Sequence, residues 1–361
     1  MGHTSRAHSP GTPPGRRNLP TMDPATALRR VAYLLERERA DTYKVRAFRR
    51  AATTVDATDR ARLEQLAASR RLTDLDGVGD TTARVIAEAL AGRTPAYLTE
   101  LESSTWLTEL DPDAKRIRSL LKGDCHSHSD WSDGGSPIEE MAAAARDLGY
   151  EYVVLTDHSP RLTVAHGLNA ERLARQLDVV EEVNGEMGGF RILTGIEVDI
   201  LEDGSLDQSE ELLGRLDLVV ASVHSKLSMD ARLMTARMVR AIESPHTDVL
   251  GHCTGRKLVG TGRAQSKFDP DEVFGACART GTAVEINSRP ERRDPPQDLL
   301  QHALDLGCVV TIDSDSHAPG HFEWLDLGCE QAAAVGLADQ PERIMNTRSA
   351  DALLAWTASH D

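Results

Sequence analysis

Residues 124–134 read DCHSHSDWSDG. This stretch puts His126, His128 and Asp133 on one short loop directly after a candidate strand, and imidazoles and carboxylates are the side chains that hold divalent metals. A lone His-x-His reads equally well as two hydrogen-bonded histidines on a strand face. Recurrence separates the readings. Five further apolar β-type runs end in His, Asp or Glu: residues 152–158 (YVVLTDH), 192–197 (ILTGIE), 218–224 (LVVASVH), 249–252 (VLGH) and 308–317 (CVVTIDSDSH).

Strand patterns near 118–124, 152–156, 191–196, 217–223, 248–251, 282–286 and 308–312 alternate with helical patterns at 137–148, 170–184, 231–243, 270–279 and 297–306. Such alternation implies parallel strands joined by helical crossovers. Seven strands that each end in a polar residue favour a closed α/β barrel, because only closure gathers seven C-terminal ends around one point. An open sheet spreads them along an edge.

The 361 residues suffice for two domains, and the net charge of −16 argues against a protein that coats nucleic acid through global charge. The acidic excess lies beyond residue 110, where bound cations would reverse the field locally. Five cysteines without a C-x-x-C pair point to reduced thiols and a cytoplasmic setting. No apolar run has the length of a membrane span, so no membrane partner is expected. Residues 1–21, rich in Pro, Gly, Arg and Ser, read as a disordered lead, with Met22 as the functional start.

A helical pattern starts at Asp23 with Pro24 in its first turn, and a second covers residues 44–55. Lys44, Arg46, Arg49 and Arg50, interleaved with Tyr43 and Phe48, form a candidate phosphate-facing surface. Residues 75–79 (LDGVG) make a tight turn before an amphipathic helix over 80–90 with Ala83, Val85, Ile86, Ala89 and Leu90 inward. Gly77 and Gly79 let the backbone turn and aim amides at a phosphate. Asp76 and Asp80 flank that turn. It resembles the helix-hairpin-helix motif of non-sequence-specific DNA-binding proteins, and residues 24–105 resemble the small N-terminal domain of bacterial family X DNA polymerases. Nothing between Leu110 and Cys125 supplies the paired aspartates of a polymerase palm. The domains expected are thus a lead over 1–21, a small all-α helix-hairpin-helix domain over 22–105, a linker over 106–117 and the barrel over 118–361.

HSHSDWSDG, TDHS, GIEVDI, ASVHS, GHCTGR, EINSRPERRD and DSDSH resemble, in order, the motifs of the PHP (polymerase and histidinol phosphatase) phosphoesterases, in the version attached to family X polymerases. The resemblance implies a distorted (βα)7 barrel with three divalent ions at its C-terminal face. One ion falls to His126, His128, Glu197 and Asp315. Glu197 bridges to a second, held with His224 and His252, and Asp133, His158 and His317 hold the third. Six imidazoles and three carboxylates without thiolate suit Zn, Mn or Fe. Glu197, Asp315 and His317 are the expected catalytic positions, with a metal-bridging hydroxide as nucleophile. Lys226, Arg256, Arg289 and Arg292 are candidate clamps for substrate phosphate. Asp157, Asp199 and Asp313 are candidate orienters of ligand imidazoles, and His166 and His321 are placed near the rim. The function implied is metal-dependent phosphoester hydrolysis, as a DNA nuclease or 3′-end-processing enzyme of DNA repair. The alternatives are a small-molecule phosphatase, such as a histidinol phosphate phosphatase, and a non-catalytic, metal-stabilised DNA-binding protein.

Overall fold

The computed structural model describes residues 22–105, 107 and 109–359; the lead expected over residues 1–21 lies outside them. The chain divides into two units. One runs through Ala32 and resumes at Asp41–Ser104, while the other holds Tyr33–Ala40 and continues from Thr105.

The first unit is helical: the start of α1 (Pro24–Arg37), then α2 (Thr42–Asp56), α3 (Arg60–Ala68), α4 (Asp80–Leu90) and α5 (Ala96–Ser103). Asp23 Oδ2 caps α1 by accepting from the amides of Ala25 (3.0 Å) and Thr26 (3.2 Å). Phe48, Ala51, Ala52 and Val55 of α2 are buried, as are Val85, Ile86 and Ala89 of α4. Ala83 and Leu90, expected inward, are half-buried. Thr82 is buried instead, because its hydroxyl accepts from the Gly79 amide at 2.9 Å and closes the first turn of α4.

In the second unit α6 (Pro112–Leu120) precedes β1 (Gly123–Ser127). The strand expected near 118–124 is thus helix through Leu120 and strand only from Gly123, since Asp111 caps Ala114 N at 2.8 Å with Pro112 in the first turn and starts the helix. α6 buries Ala114 and Ile117 in the core of this unit. Then follow α7 (Ile138–Asp147), β2 (Tyr152–Leu155), α8 (Ala170–Glu186), β3 (Arg191–Asp199), α9 (Glu210–Leu213), β4 (Leu218–Ser222), α10 (Ala231–Ile242), β5 (Val249–Leu250), α11 (Pro270–Thr280), β6 (Ala283–Asn287), α12 (Gln297–Asp305), β7 (Val310–Asp313), α13 (Leu325–Ala334) and α14 (Ala350–Thr357).

The seven strands pair in sequence order, and every ladder is parallel. Nearly all their residues are buried, as expected for a parallel sheet covered on both faces. The gap between β1 and β7 is closed by the bridge Ser127–Ser316 and by two carboxylates that stand in for ladder bonds. Asp313 Oδ1 accepts from Cys125 N at 2.8 Å, and Asp124 accepts from Ser314 N at 3.2 Å. Closure turns seven strand ends toward one mouth.

Candidate metal centre

His126 lies in β1 and His128 one residue past its end, two positions apart and so on one face. Glu197 sits within β3, and His158, His224 and His252 follow β2, β4 and β5. Beyond β7 the backbone turns at Asp315, with φ of +51°, and presents Asp315 and His317 to the same mouth.

All nine expected donors come together. Glu197 is central: its Oε2 lies 3.4 Å from His126 Nε2, 3.6 Å from His128 Nε2 and 2.8 Å from His158 Nδ1, and its Oε1 lies 3.1 Å from His224 Nε2 and 2.8 Å from His252 Nε2. Asp133 Oδ1 stands 3.5 Å from His158 Nε2 and 3.3 Å from His317 Nε2. Asp315 Oδ1 stands 3.5 Å from both His128 Nε2 and His317 Nδ1. The grouping is less partitioned than expected. His128 falls with Asp133, His158 and His317 as well as with His126 and Glu197, and His158 also groups with Glu197 and His224.

The residues fit divalent ions on two counts. His126 Nε2, His128 Nδ1 and Nε2, His158 Nδ1 and His224 Nδ1 and Nε2 are buried without a hydrogen-bond partner among the described residues, a costly state for a polar atom with no further ligand. Several N···O separations of 3.3–3.6 Å exceed a normal N–H···O bond. They match the edge of about 3.3 Å between donors bound tetrahedrally at roughly 2.0–2.1 Å. Burial opposes the charge on Glu197, but His224, His158 and His126 hold its carboxyl well below the usual range. Burial and the neighbouring His317 and His158 keep His128 well below an ordinary imidazole, the neutral form a metal requires.

Other groups hold the donors in place. Glu285 Oε1 lies 2.5 Å from His126 Nδ1, and Glu285 Oε2 accepts from His252 N at 2.5 Å and from Asn287 Nδ2 at 3.2 Å. Asn287 Nδ2 also donates to Asp315 Oδ2 at 3.1 Å. Sequence reasoning missed both residues. Their signal was there in β6, AVEIN, where two polar residues two apart interrupt an apolar run. Asp199 Oδ1 accepts from the backbone amide of His224 at 3.1 Å and lies 3.4 Å from His224 Nδ1 without a hydrogen bond to it, so it holds the backbone that carries this imidazole. His321 Nδ1 accepts from His317 N at 3.1 Å, while exposed His166 makes no contact with the donors among those described.

Four expectations need correction. Asp157 orients no imidazole: it accepts from Ser129 N (2.9 Å), Ser129 Oγ (2.6 Å), Ser132 Oγ (2.5 Å) and Gln176 Nε2 (2.6 Å), fixing the loop that carries Asp133. Asp313 is turned toward β1 and bonds Cys125 N, because barrel closure claims its carboxylate. Arg256 faces the loop after β6, donating to the carbonyls of Arg292 (2.9 Å) and Arg293, so its guanidinium is spent within the fold. Lys226 is exposed and outside the pocket over the donors. That pocket, of about 210 Å³, is lined by Arg289 and Arg292, as expected, and by the unforeseen Lys257 and Glu291. Both arginines reach Asp315, Arg289 Nη1 to Oδ1 at 3.2 Å and Arg292 Nε to Oδ2 at 3.3 Å.

In the first unit, Gly77 has φ of +71°, and a Cβ there would lie 2.6 Å from Arg50 Cγ. Arg50, a candidate DNA contact, pairs with Asp76 at 2.7 Å, so the charges offset each other at the turn. Lys44 Nζ lies 5.2 Å from the centre of the Tyr97 ring, and Arg46 is exposed. The Val78 and Gly79 amides are engaged by Leu75 O and Thr82 Oγ1.

A near-closed parallel barrel whose mouth gathers imidazoles and carboxylates around one glutamate has the donor set of a divalent-metal-dependent hydrolase. A family model described as PHP domain matches residues 124–288, and one described as helix-hairpin-helix domain matches residues 20–95. A probable phosphatase of Thermoanaerobacter sp. (strain X514) is 30% identical over 214 residues, covering 55% of this chain and 82% of that protein. The chain belongs to the PHP family. It is also 38% identical over 270 residues to the DNA polymerase/3'-5' exonuclease PolX of Bacillus subtilis (strain 168), covering 74% of this chain but only 46% of that relative's length. A solved histidinol phosphate phosphatase from Lactococcus lactis subsp. lactis Il1403, complexed with Zn, L-histidinol and phosphate, aligns at 18% identity with a TM-score of 0.43, over 60% of this chain and 94% of that one.

Proposed function

We propose that this chain hydrolyses phosphodiester bonds at DNA ends, with its helix-hairpin-helix unit binding the duplex and its barrel performing the chemistry. The observation that carries this reading is the joining, in one chain, of a helix-hairpin-helix match over residues 20–95 with a barrel whose mouth gathers nine metal-competent donors. A Bacillus relative whose name includes 3'-5' exonuclease supports it. Up to three divalent ions, Zn, Mn or Fe, are held by His126, His128, Asp133, His158, Glu197, His224, His252, Asp315 and His317. When bound, they supply Lewis-acid stabilisation of the phosphoryl group and bring the pKa of a water into the neutral range.

The chain's own residues complete the site. Glu197, the charge nearest most of the imidazoles, keeps the donors together, and Glu285 fixes the His126 tautomer with Nε2 free to coordinate. Arg289 and Arg292 share their guanidiniums between Asp315 and a phosphate oxygen of the substrate. Leu162 and the loop after β6 narrow the mouth over the donors.

A second reading, phosphomonoester hydrolysis of a small molecule, draws on the probable phosphatase, most of whose length this chain spans. One preparation, titrated with Mn and Zn, should be assayed on 3′-labelled DNA, 5′-labelled DNA and histidinol phosphate. Stepwise release of label from the 3′ end supports the nuclease reading, and turnover of histidinol phosphate alone overturns it. Gly79→Val adds a sharper arm. A Cβ at Gly79 meets nothing within 4 Å, so the turn tolerates it while a branched side chain is added at the start of α4, where a phosphate would approach the backbone. DNA affinity and its salt dependence should fall with hydrolysis of a small phosphoester unaltered.

A further inference from the structure

The segment after β5 forms a short hairpin beside the metal mouth. Lys257 N donates to Arg263 O and Arg263 N to Lys257 O, both at 2.9 Å, in an antiparallel bridge. Directly opposed residues of such a pair project to the same side, so Arg263 stands beside Lys257, which lines the pocket. The hairpin is fastened to the loop after β6 by Leu258 N to Glu291 O at 2.7 Å and by Arg256 to the Arg292 carbonyl. Lys257, Arg263, Arg289 and Arg292 are thereby gathered on one rim, close enough that Arg292, Arg263 and Arg289, after burial, all lower the pKa of Lys257 against the smaller opposing pull of Glu291.

The carboxylates in direct contact with this rim serve the inner arginines. Asp315 is taken by Arg289 and Arg292, and Glu291 is shared between Arg289 at 3.6 Å and Arg39 at 3.4 Å. Among the described residues no carboxylate lies within 4.0 Å of Lys257 or Arg263. Massing like charges next to a site for divalent cations is unfavourable unless a ligand brings the compensating anions. One phosphate held between the donors and Arg289 and Arg292 leaves Lys257 and Arg263 without an anion in direct contact: Glu291 and Asp294 act on them only from beyond 4.0 Å, and Arg263 spends Nε on the Gly255 carbonyl while its two terminal nitrogens make no hydrogen bond among the described residues.

We propose that Lys257 and Arg263 form a second phosphate subsite, so that the preferred substrate carries a further phosphate group one linkage away from the phosphate being hydrolysed. The inference rests on the nuclease reading and narrows it to substrates with at least two linked phosphates. The partly exposed Leu258 and Val259 at the hairpin tip, 53% and 41% accessible, give the sugar or base between the phosphates an apolar surface.

The test uses the full metal-loaded chain and two substrate pairs. The first sets the p-nitrophenyl ester of thymidine 5′-phosphate against the same ester on the dinucleotide pdTpdT. The second sets thymidine 5′-phosphate against thymidine 3′,5′-bisphosphate. Wild type should favour the two-phosphate member at least tenfold in kcat/KM. Arg263→Gln retains a donor for the Gly255 carbonyl, which Arg263 Nε now bonds at 2.7 Å. It should lower kcat/KM on the two-phosphate member about tenfold through KM and flatten its salt dependence by roughly 0.7 in log–log slope, with the one-phosphate member within twofold. Lys257→Gln should enlarge that discrimination loss. Equal losses on both members, or no loss on either, would overturn the subsite. The pairs keep two failures apart: if diesters resist cleavage but the bisphosphate is preferred and Arg263→Gln abolishes that preference, the nuclease reading fails and the subsite stands.

Discussion

Glu285→Gln tests the metal centre through a residue that coordinates nothing. Both Glu285 oxygens are committed, Oε1 to His126 Nδ1 and Oε2 to the amides of His252 and Asn287. Gln has almost the same volume but keeps only one acceptor. If its oxygen serves His252, its NH2 faces His126 Nδ1 and demands an acceptor there. That forces the proton of a neutral His126 onto Nε2, the atom aimed at Glu197 from 3.4 Å, and Nε2 then cannot bind a cation. If the amide turns the other way, the buried His252 N–H loses its acceptor and the backbone carrying that imidazole is released. Either outcome should weaken metal binding about 10- to 100-fold, equivalent to roughly 1.4–2.7 kcal/mol. Competition against a chromophoric chelator reads the affinity directly. Hydrolysis of a generic phosphoester should be recovered in large part at excess metal, which separates lost affinity from lost chemistry. Wild-type affinity and stoichiometry in this variant would refute the orienting role of Glu285.

Protein purified without chelators should contain two to three equivalents of Zn, Mn or Fe by elemental analysis, and less than one would sink the trinuclear arrangement. Glu197→Gln removes the charge that faces five imidazoles, so phosphoester hydrolysis should fall by orders of magnitude while circular dichroism shows a retained fold; near-normal turnover would dismiss the central role. Asp157→Asn sets an amide against the Ser129, Ser132 and Gln176 donors. It should cost about 1–3 kcal/mol in urea unfolding and lower occupancy of the ion nearest Asp133, and an unchanged midpoint with full metal content would contradict the loop-fixing account. Gly320→Ala would put a Cβ into the Tyr33 carbonyl and 2.8 Å from Arg37 N. The overpacking should cost roughly 1–3 kcal/mol, and a variant as stable as wild type would show that Tyr33–Ala40 does not pack against this loop.

The sequence by itself determined the alternation of strand and helix, the closed α/β class and the donors at the strand ends. These are local signals, because a strand buried on both faces is apolar throughout and any polar residue at its end stands out. His158, His224 and His252, which follow β2, β4 and β5, could be read in this way, whereas His126 lies inside a polar β1 and Glu197 inside β3. Only the tertiary structure decided which polar groups serve which neighbours. Glu285 and Asn287 reach the donors because barrel closure turns β6 inward beside β5 and β7, and Asp313 is withdrawn from them because the same closure needs its carboxylate at β1. Arg256 and Lys257 are adjacent in sequence and diverge in use, one bonded to carbonyls of the loop after β6 and the other facing the pocket. The end of α1 likewise joins the second unit through contacts nearly three hundred residues apart, Trp324 Nε1 to Arg37 O at 3.0 Å and Gly320 N to Glu36 Oε2 at 3.1 Å. Pattern along a chain encodes which face of an element is buried; what that face meets is fixed by packing, which joins residues with no relation in sequence.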